Sequence, residues 1–153
     1  MTDTPHIMIV EARFYADIAD ELAQGAIEAL QQAGATFERF EVPGAFEIPA
    51  AIRMALHAEE IDAKRQRFDG YLALGCVIRG ETTHYDYVCE ESARGLQDLA
   101  LKHSLALGYG ILTVENGDQA WARARRDRKN KGGDVARACL AMVALKRRFG
   151  LPR

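Results

Sequence analysis

Short apolar runs alternate along the chain with longer stretches in which apolar residues recur every three or four positions. The first run, His6–Val10, reads as a buried strand, and the polar segment Glu11–Asp17 reads as the loop that leaves it. Ile18, Leu22, Ala26 and Leu30 then share one helical face, which predicts a helix over Ile18–Ala33 that Gly34 stops. Phe37–Val42 reads as a second strand closed by Pro43 and Gly44, and Ile48–Glu60 as a helix with Pro49 in its first turn. Tyr71–Ile78 is a continuous apolar run of the kind buried on both faces of a sheet. A loop, Arg79–Thr83, leads from it into a helix through His103. Leu105–Val114 is the fourth strand, followed by helices from Gln119 to about Arg126 and over Gly133–Phe149.

The resulting order, βαβαβαβαα, predicts a parallel sheet covered by helices on both faces. In a chain of 153 residues this is an α/β fold, a flavodoxin-like three-layer α/β/α sandwich with a four-stranded parallel sheet, and one domain over residues 1–153. Hydrophobic residues at 48% and charged residues at 27% are the composition of a soluble globular protein. No apolar run approaches the roughly 20 residues that span a bilayer, and the N-terminal residues carry no secretory pattern. A cytoplasmic location, away from membranes, is the expectation. Cys76, Cys89 and Cys139 lack any metal or redox spacing and read as reduced thiols, Cys76 and Cys139 as small buried hydrophobes. A net charge of −2 makes the whole molecule a poor partner for nucleic acid, so any anion site must be local.

In such a sheet, ligands bind beyond the carboxyl ends of the strands. The segments that follow the strands carry Arg13 and Phe14, then Pro43-Gly44-Ala45-Phe46-Glu47, then Arg79-Gly80-Glu81-Thr82-Thr83-His84, then Glu115 and Asn116. The third segment is the most telling. Thr83 and Asp86 have the spacing of a capping box, so a helix should begin near His84 with its N-terminus turned toward the loop. Gly80 permits close backbone approach, Thr82 adds a hydroxyl, and the helix N-terminus favours an anion. A phosphate or carboxylate cradle and an ordinary capped helix both fit this motif. His84 would stand beside the anion with an imidazole that exchanges protons near neutral pH, whereas His6, His57 and His103 have no such neighbours. Phe14 and Phe46 are flanked by polar or small residues, so either can stack on a planar heterocycle, although Phe is usually a core residue. Glu47 suits sugar hydroxyls or simply a helix first turn. The run Arg123–Lys131 holds six basic residues in nine, which fits a solvated face, a nucleic-acid patch without stacking aromatics, or a phosphate grip by one or two of its cations.

Four segments go further. VPGAFEIP at Val42–Pro49, GCVIRGETTHYDYVCEE at Gly75–Glu91, GILTVENGDQAWARA at Gly110–Ala124 and NKGGDVA at Asn130–Ala136 resemble the lumazine synthase family in order and separation. The resemblance spans nearly the whole chain. It implies condensation of 5-amino-6-(D-ribitylamino)uracil with 3,4-dihydroxy-2-butanone 4-phosphate to 6,7-dimethyl-8-ribityllumazine, the penultimate step of riboflavin formation, without metal or redox cofactor. By that resemblance Phe14 stacks on the pyrimidine, Gly44, Ala45, Phe46 and Glu47 hold the ribityl chain and ring edge, and Val77 and Ile78 line the ring pocket. Gly80, Glu81 and Thr82 surround the phosphate and His84 transfers protons. The family's pocket lies between subunits of a homopentamer, so Tyr109, Arg123 and Lys131 would come from a neighbour, with Arg123 on the phosphate. Two departures stand out: Tyr109 occupies a place where Phe is common, and the segment between Arg123 and Lys131 lacks the glycine-containing kink of many shell-forming relatives. The second departure favours a free pentamer. A riboflavin or lumazine binder with little catalysis and a shell protein with vestigial chemistry are the rival readings.

Overall fold

The computed structural model describes residues 4–64 and 67–152. Its elements are β1 (His6–Ala12), α1 (Ala16–Gln32), β2 (Thr36–Val42), a 3-10 turn (Ala45–Glu47), α2 (Ile48–Ile61), β3 (Gly70–Ile78), α3 (His84–His103), β4 (Leu107–Val114), α4 (Gly117–Ala124) and α5 (Lys131–Arg148). The strands form one parallel four-stranded sheet in the order β2-β1-β3-β4. The predicted α/β three-layer sandwich is therefore the observed one. Among the described residues no helix is long and apolar enough to cross a membrane.

Period-two alternation along the strands divides the core between the two faces. Ile7 and Ile9 of β1 and Leu72 and Leu74 of β3 pack with Ala26 and Leu30 of α1 and Val135, Ala136 and Cys139 of α5. On the other face Met8, Val10 and Ala73 meet Ile48 and Ile52 of α2 and Val88 and Leu96 of α3. A smaller cluster joins Ile18 and Leu22 of α1 to Leu112 and Val114 of β4 and Ala120 and Ala124 of α4. Each fully buried aliphatic side chain contributes about 1.5–3 kcal/mol through loss of apolar contact with water. Because β3 is sandwiched between β1 and β4 and covered on both faces, its apolar run is continuous rather than alternating.

Element ends depart from the sequence expectation where tertiary pairing decides them. Glu11 and Ala12 belong to β1, not to the following loop, because Glu11 pairs with Glu41 and Leu74 in the sheet and Ala12 with Val42. A buried carboxylate in a strand needs partners. Glu11 takes a two-pronged grip from Arg39, with Nε at 2.6 Å and Nη2 at 2.9 Å, and a further bond from Arg13 Nη1 at 2.9 Å. Conversely, Leu105 and Ala106 are buried but precede β4, since the chain leaves α3 through Ser104 in a left-handed conformation. Gly34, at φ +75°, ends α1 as expected: the Ala35 N–H returns to the Leu30 carbonyl at 2.9 Å and that of Gly34 to Gln31 at 3.0 Å.

Helix α5 lies unusually close to its neighbours because its first turn and the strand beneath it carry glycines. A Cβ on Gly132 would run into the Leu22 carbonyl of α1, and one on Gly108 would meet the Val135 carbonyl oxygen at 2.5 Å. Backbone on backbone leaves nothing to rotate away. Gly132→Ala should therefore push α1 and α5 apart at a cost of about 2–3 kcal/mol, read as a clear fall in thermal-unfolding midpoint by circular dichroism. An unchanged midpoint would contradict this packing.

Candidate active site

The strand order reverses direction between β1 and β3, which opens a crevice at their carboxyl ends. The turns after β1, β2 and β3 converge there around a cleft of about 510 Å³. That volume suits a ligand of substrate size. Phe14 and Tyr15 come from the turn after β1, and Gly44, Ala45, Phe46 and Glu47 from the turn after β2. The last residues of β3, Cys76, Val77 and Ile78, are half-buried and line the cleft, and Gly80, Thr82 and His84 follow on the loop into α3.

Two large aromatic rings stand in water at this cleft. Phe14 is 77% exposed and Phe46 56%, against a core in which most large apolar side chains are sealed. Phe14 meets Tyr15 edge-on with centroids 4.9 Å apart, which leaves ring surface available to a planar partner. The two glycines of the cleft are likewise unexplained by the fold itself. Gly44 is extended at φ −157°, and a Cβ on it would meet nothing nearer than the Glu47 carboxylate at 3.8 Å. A Cβ on Gly80 would meet nothing within 4 Å, and its φ lies outside the left-handed region. Neither conformation nor internal packing demands glycine, so close approach by a ligand is the remaining physical reason for it.

The loop into α3 differs from the expected capping box. Thr83 adopts helical angles as the N-cap and makes no side-chain cap bond; its carbonyl accepts from the Asp86 N–H at 3.0 Å. The Asp86 carboxylate turns instead to Arg79 Nη1 at 3.4 Å, and the Thr82 hydroxyl accepts from the His84 N–H at 3.3 Å. A guanidinium outcompetes a backbone N–H for a carboxylate because both partners carry charge. The expected helix start at His84 is nevertheless observed. His84 reaches the cleft from the first turn of α3, and Tyr85 and Val88, which drew no notice in the sequence, line it from the same helix. For Val88 the four-position spacing from His84 was the available signal, whereas Tyr85, one position on, carried none.

Four expected site residues do not line this cleft. Glu81 is exposed on the loop. Tyr109 stands on the edge strand β4, 38% exposed, on the side of α3, where burial raises its phenol above the usual value while a hydrogen bond with Ser92 opposes the rise. Arg123 lies on α4 with Nη1 bonded to the Gln119 carbonyl at 3.0 Å, and Lys131 is the exposed first residue of α5. Between them, Arg126 bridges Glu21 at 2.5 Å and Glu28 at 2.6 Å on α1, and the Asn130 side chain caps the Gly133 N–H at 3.3 Å. Part of the basic run thus fastens its segment to α1. All three cysteines are free thiols. Cys139 is the small buried residue expected, whereas Cys76 is half-buried and lines the cleft; burial pushes Cys76 up to about 11 and Cys139 up to about 12, so both are neutral near pH 7.

The family model for 6,7-dimethyl-8-ribityllumazine synthase matches residues 4–147. The chain belongs to the lumazine synthase family. It is 58% identical to the 6,7-dimethyl-8-ribityllumazine synthase of Agrobacterium fabrum over 95% of this chain and 97% of that protein. It is 61% identical to 6,7-dimethyl-8-ribityllumazine synthase 1 of Rhizobium meliloti, over 95% and 94% of the two chains. The 6,7-dimethyl-8-ribityllumazine synthase of Bartonella tribocorum is 55% identical over 98% of this chain and 95% of its own. The family resemblance of the four motifs is thereby established at full length.

Two outcomes follow for this lumazine synthase fold. Gly80→Ala should leave the unfolding midpoint within the scatter of surface substitutions, about 0.5 kcal/mol, yet weaken anion binding in the cleft, as read by calorimetric titration with inorganic phosphate. Alkylation of Cys76 by iodoacetamide, followed by mass spectrometry, should stay slow at pH 7 and climb as pH rises toward about 11, because burial disfavours the thiolate.

Proposed function

We propose that this protein condenses 5-amino-6-(D-ribitylamino)uracil with 3,4-dihydroxy-2-butanone 4-phosphate, releasing 6,7-dimethyl-8-ribityllumazine, inorganic phosphate and water, as its family membership implies. The observation that carries this reading is the cleft itself: two exposed phenylalanines and an apolar strand end beside a glycine loop at a helix N-terminus. A planar ring and a phosphate are the two ligand features such walls suit. Phe14 and Phe46 would hold the pyrimidine against Val77 and Ile78, while Glu47 and the Gly44–Ala45 backbone take the ribityl hydroxyls and ring edge. Gly80, Glu81 and Thr82 would cradle the phosphate, Glu81 through its backbone since its side chain is outside the cleft wall.

The amine attacks the ketone, and both the dehydration and the ring closure require protons to be moved. His84 is the titratable imidazole of the cleft and would carry them between nitrogen and oxygen atoms of the bound pair. Holding both reactants side by side supplies a further, larger share of the acceleration. Tyr109, Arg123 and Lys131 would complete the cleft of an adjacent subunit in a homopentamer, Arg123 gripping the phosphate. Their absence from their own subunit's cleft wall and the open β4 edge of the sheet support this arrangement. The fastening of the Arg123–Lys131 segment to α1 by Arg126, without a glycine, supports a ring that does not go on to build a shell. The whole chain would work as one domain in the cytoplasm.

Mixing both substrates with the protein should generate lumazine fluorescence well above a protein-free control; no rate above the control would leave a flavin or lumazine binder in its place. His84→Ala should slow turnover by about 10²-fold or more without abolishing it, and Arg123→Ala should raise the KM for the phosphate substrate chiefly. Sedimentation should give the mass of a pentamer, and a monomer with full activity would remove the shared-site assignment.

A further inference from the structure

The loop that carries Gly80 and Thr82 is anchored by one side chain that stands outside the cleft wall. The Arg79 guanidinium meets the Glu115 carboxylate at 2.6 Å through Nε and Asp86 at 3.4 Å through Nη1, and its Cζ stacks 4.3 Å above the Tyr85 ring. Its own N–H donates to the Val114 carbonyl at 3.0 Å. Glu115 is in turn held at its backbone N–H by the Gln119 side-chain carbonyl at 2.8 Å. One planar group thus spans the end of β4, the first turn of α3 and the loop between β3 and α3.

This arrangement compensates for what the loop lacks. The N-cap residue of α3, Thr83, makes no side-chain bond, Asp86 is drawn to Arg79, and the helix start is capped only by the Thr82 hydroxyl at 3.3 Å from the His84 N–H. Gly80 adds a soft joint directly after Arg79. Val88 and Leu96 pack α3 on the sheet, but with one long capping bond and a glycine in the loop, the placement of the loop against the helix start leans on the guanidinium. We propose that Arg79 is a positioning residue for phosphate binding: by bridging Glu115, Asp86 and Tyr85 it sets the Gly80–Thr82 loop and the start of α3 in the geometry that receives the phosphate of the substrate. This rests on the reaction proposed above. Arg79 acts through the loop and not on the ligand, since its donors are turned to carboxylates and it lines no part of the cleft.

The bridge requires the fork and the plane of arginine, whereas a direct charge contact would be satisfied by any cation. Three single variants of the full chain and one double variant separate these cases. In Arg79→Met, the KM for 3,4-dihydroxy-2-butanone 4-phosphate and the Kd for inorganic phosphate by calorimetry should both rise about tenfold, as a small misplacement of binding groups does. The KM for the pyrimidine should stay nearly constant. Arg79→Lys should restore little of the loss. Glu115→Gln should reproduce part of it and add almost nothing in the Arg79→Met background, because the two groups act as one unit. Circular dichroism of each variant should match the wild-type, since exposed ion pairs contribute little to stability.

Full restoration by Arg79→Lys would overturn positioning in favour of direct charge attraction. An equal rise in KM for both substrates, or no change in phosphate affinity, would overturn it outright. Wild-type protein that makes no lumazine yet binds phosphate would instead sink the reaction, and the phosphate titration of the variants would still decide the role of Arg79.

Discussion

The central placement of β3 determines most of what this molecule does. Tyr71–Leu74 are buried on both faces between β1 and β4, so the strand is fixed in direction and register along its length. Its far end, Cys76–Ile78, loses that cover and becomes half-buried where the helices diverge. One strand therefore serves as core at its beginning and as cleft wall at its end. Parallel pairing requires each strand to be left in the same direction, so the turns after β1, β2 and β3 reach the same side. The reversal of strand order between β1 and β3 separates the flanking helices there and leaves room for a ligand.

Most of this architecture was legible in the sequence because burial writes itself into the period of apolar residues. The run YLALGCVI marked a doubly covered strand, and the i, i+4 face of Ile18, Leu22, Ala26 and Leu30 marked α1. The errors fall where a partner outside the local pattern decides the outcome. Glu11 looks like a loop residue by composition, yet Arg39, 28 positions away, makes a buried carboxylate tenable in β1. Thr83 and Asp86 have the spacing of a cap, yet Arg79 takes Asp86 and the cap is not made. Local pattern cannot register a competitor that arrives through folding.

The cleft was legible in a different way. Phe14 and Phe46 were noticed because polar or small residues flank them, Gly44 as the end of a strand and Gly80 for the backbone approach it permits, and the structure has the rings exposed and both glycines unconstrained. Tyr85 and Val88 went unnoticed because a helix following a loop offers many candidate positions, and only the direction of α3 selects those that face the cleft. Family motifs pointed to Tyr109, Arg123 and Lys131, and the fold of the chain does not bring them to this cleft wall.

Glycines separate the demands of stability from those of chemistry in this fold. At Gly132 and Gly108 a side chain would strike backbone, so the missing Cβ is what lets α5 lie against α1 and the sheet. At Gly80 a side chain would strike nothing in the protein, and at Gly44 only the rim of ordinary contact with Glu47. The first pair is accounted for by packing alone. The second pair remains unaccounted for until something outside the chain occupies the space, and both members of it line the same cleft. The Gly80 loop is held from outside the cleft wall as well. Its supports are the charged side chains of Arg79, Glu115 and Asp86 behind it, together with the backbone bond from Arg79 to Val114.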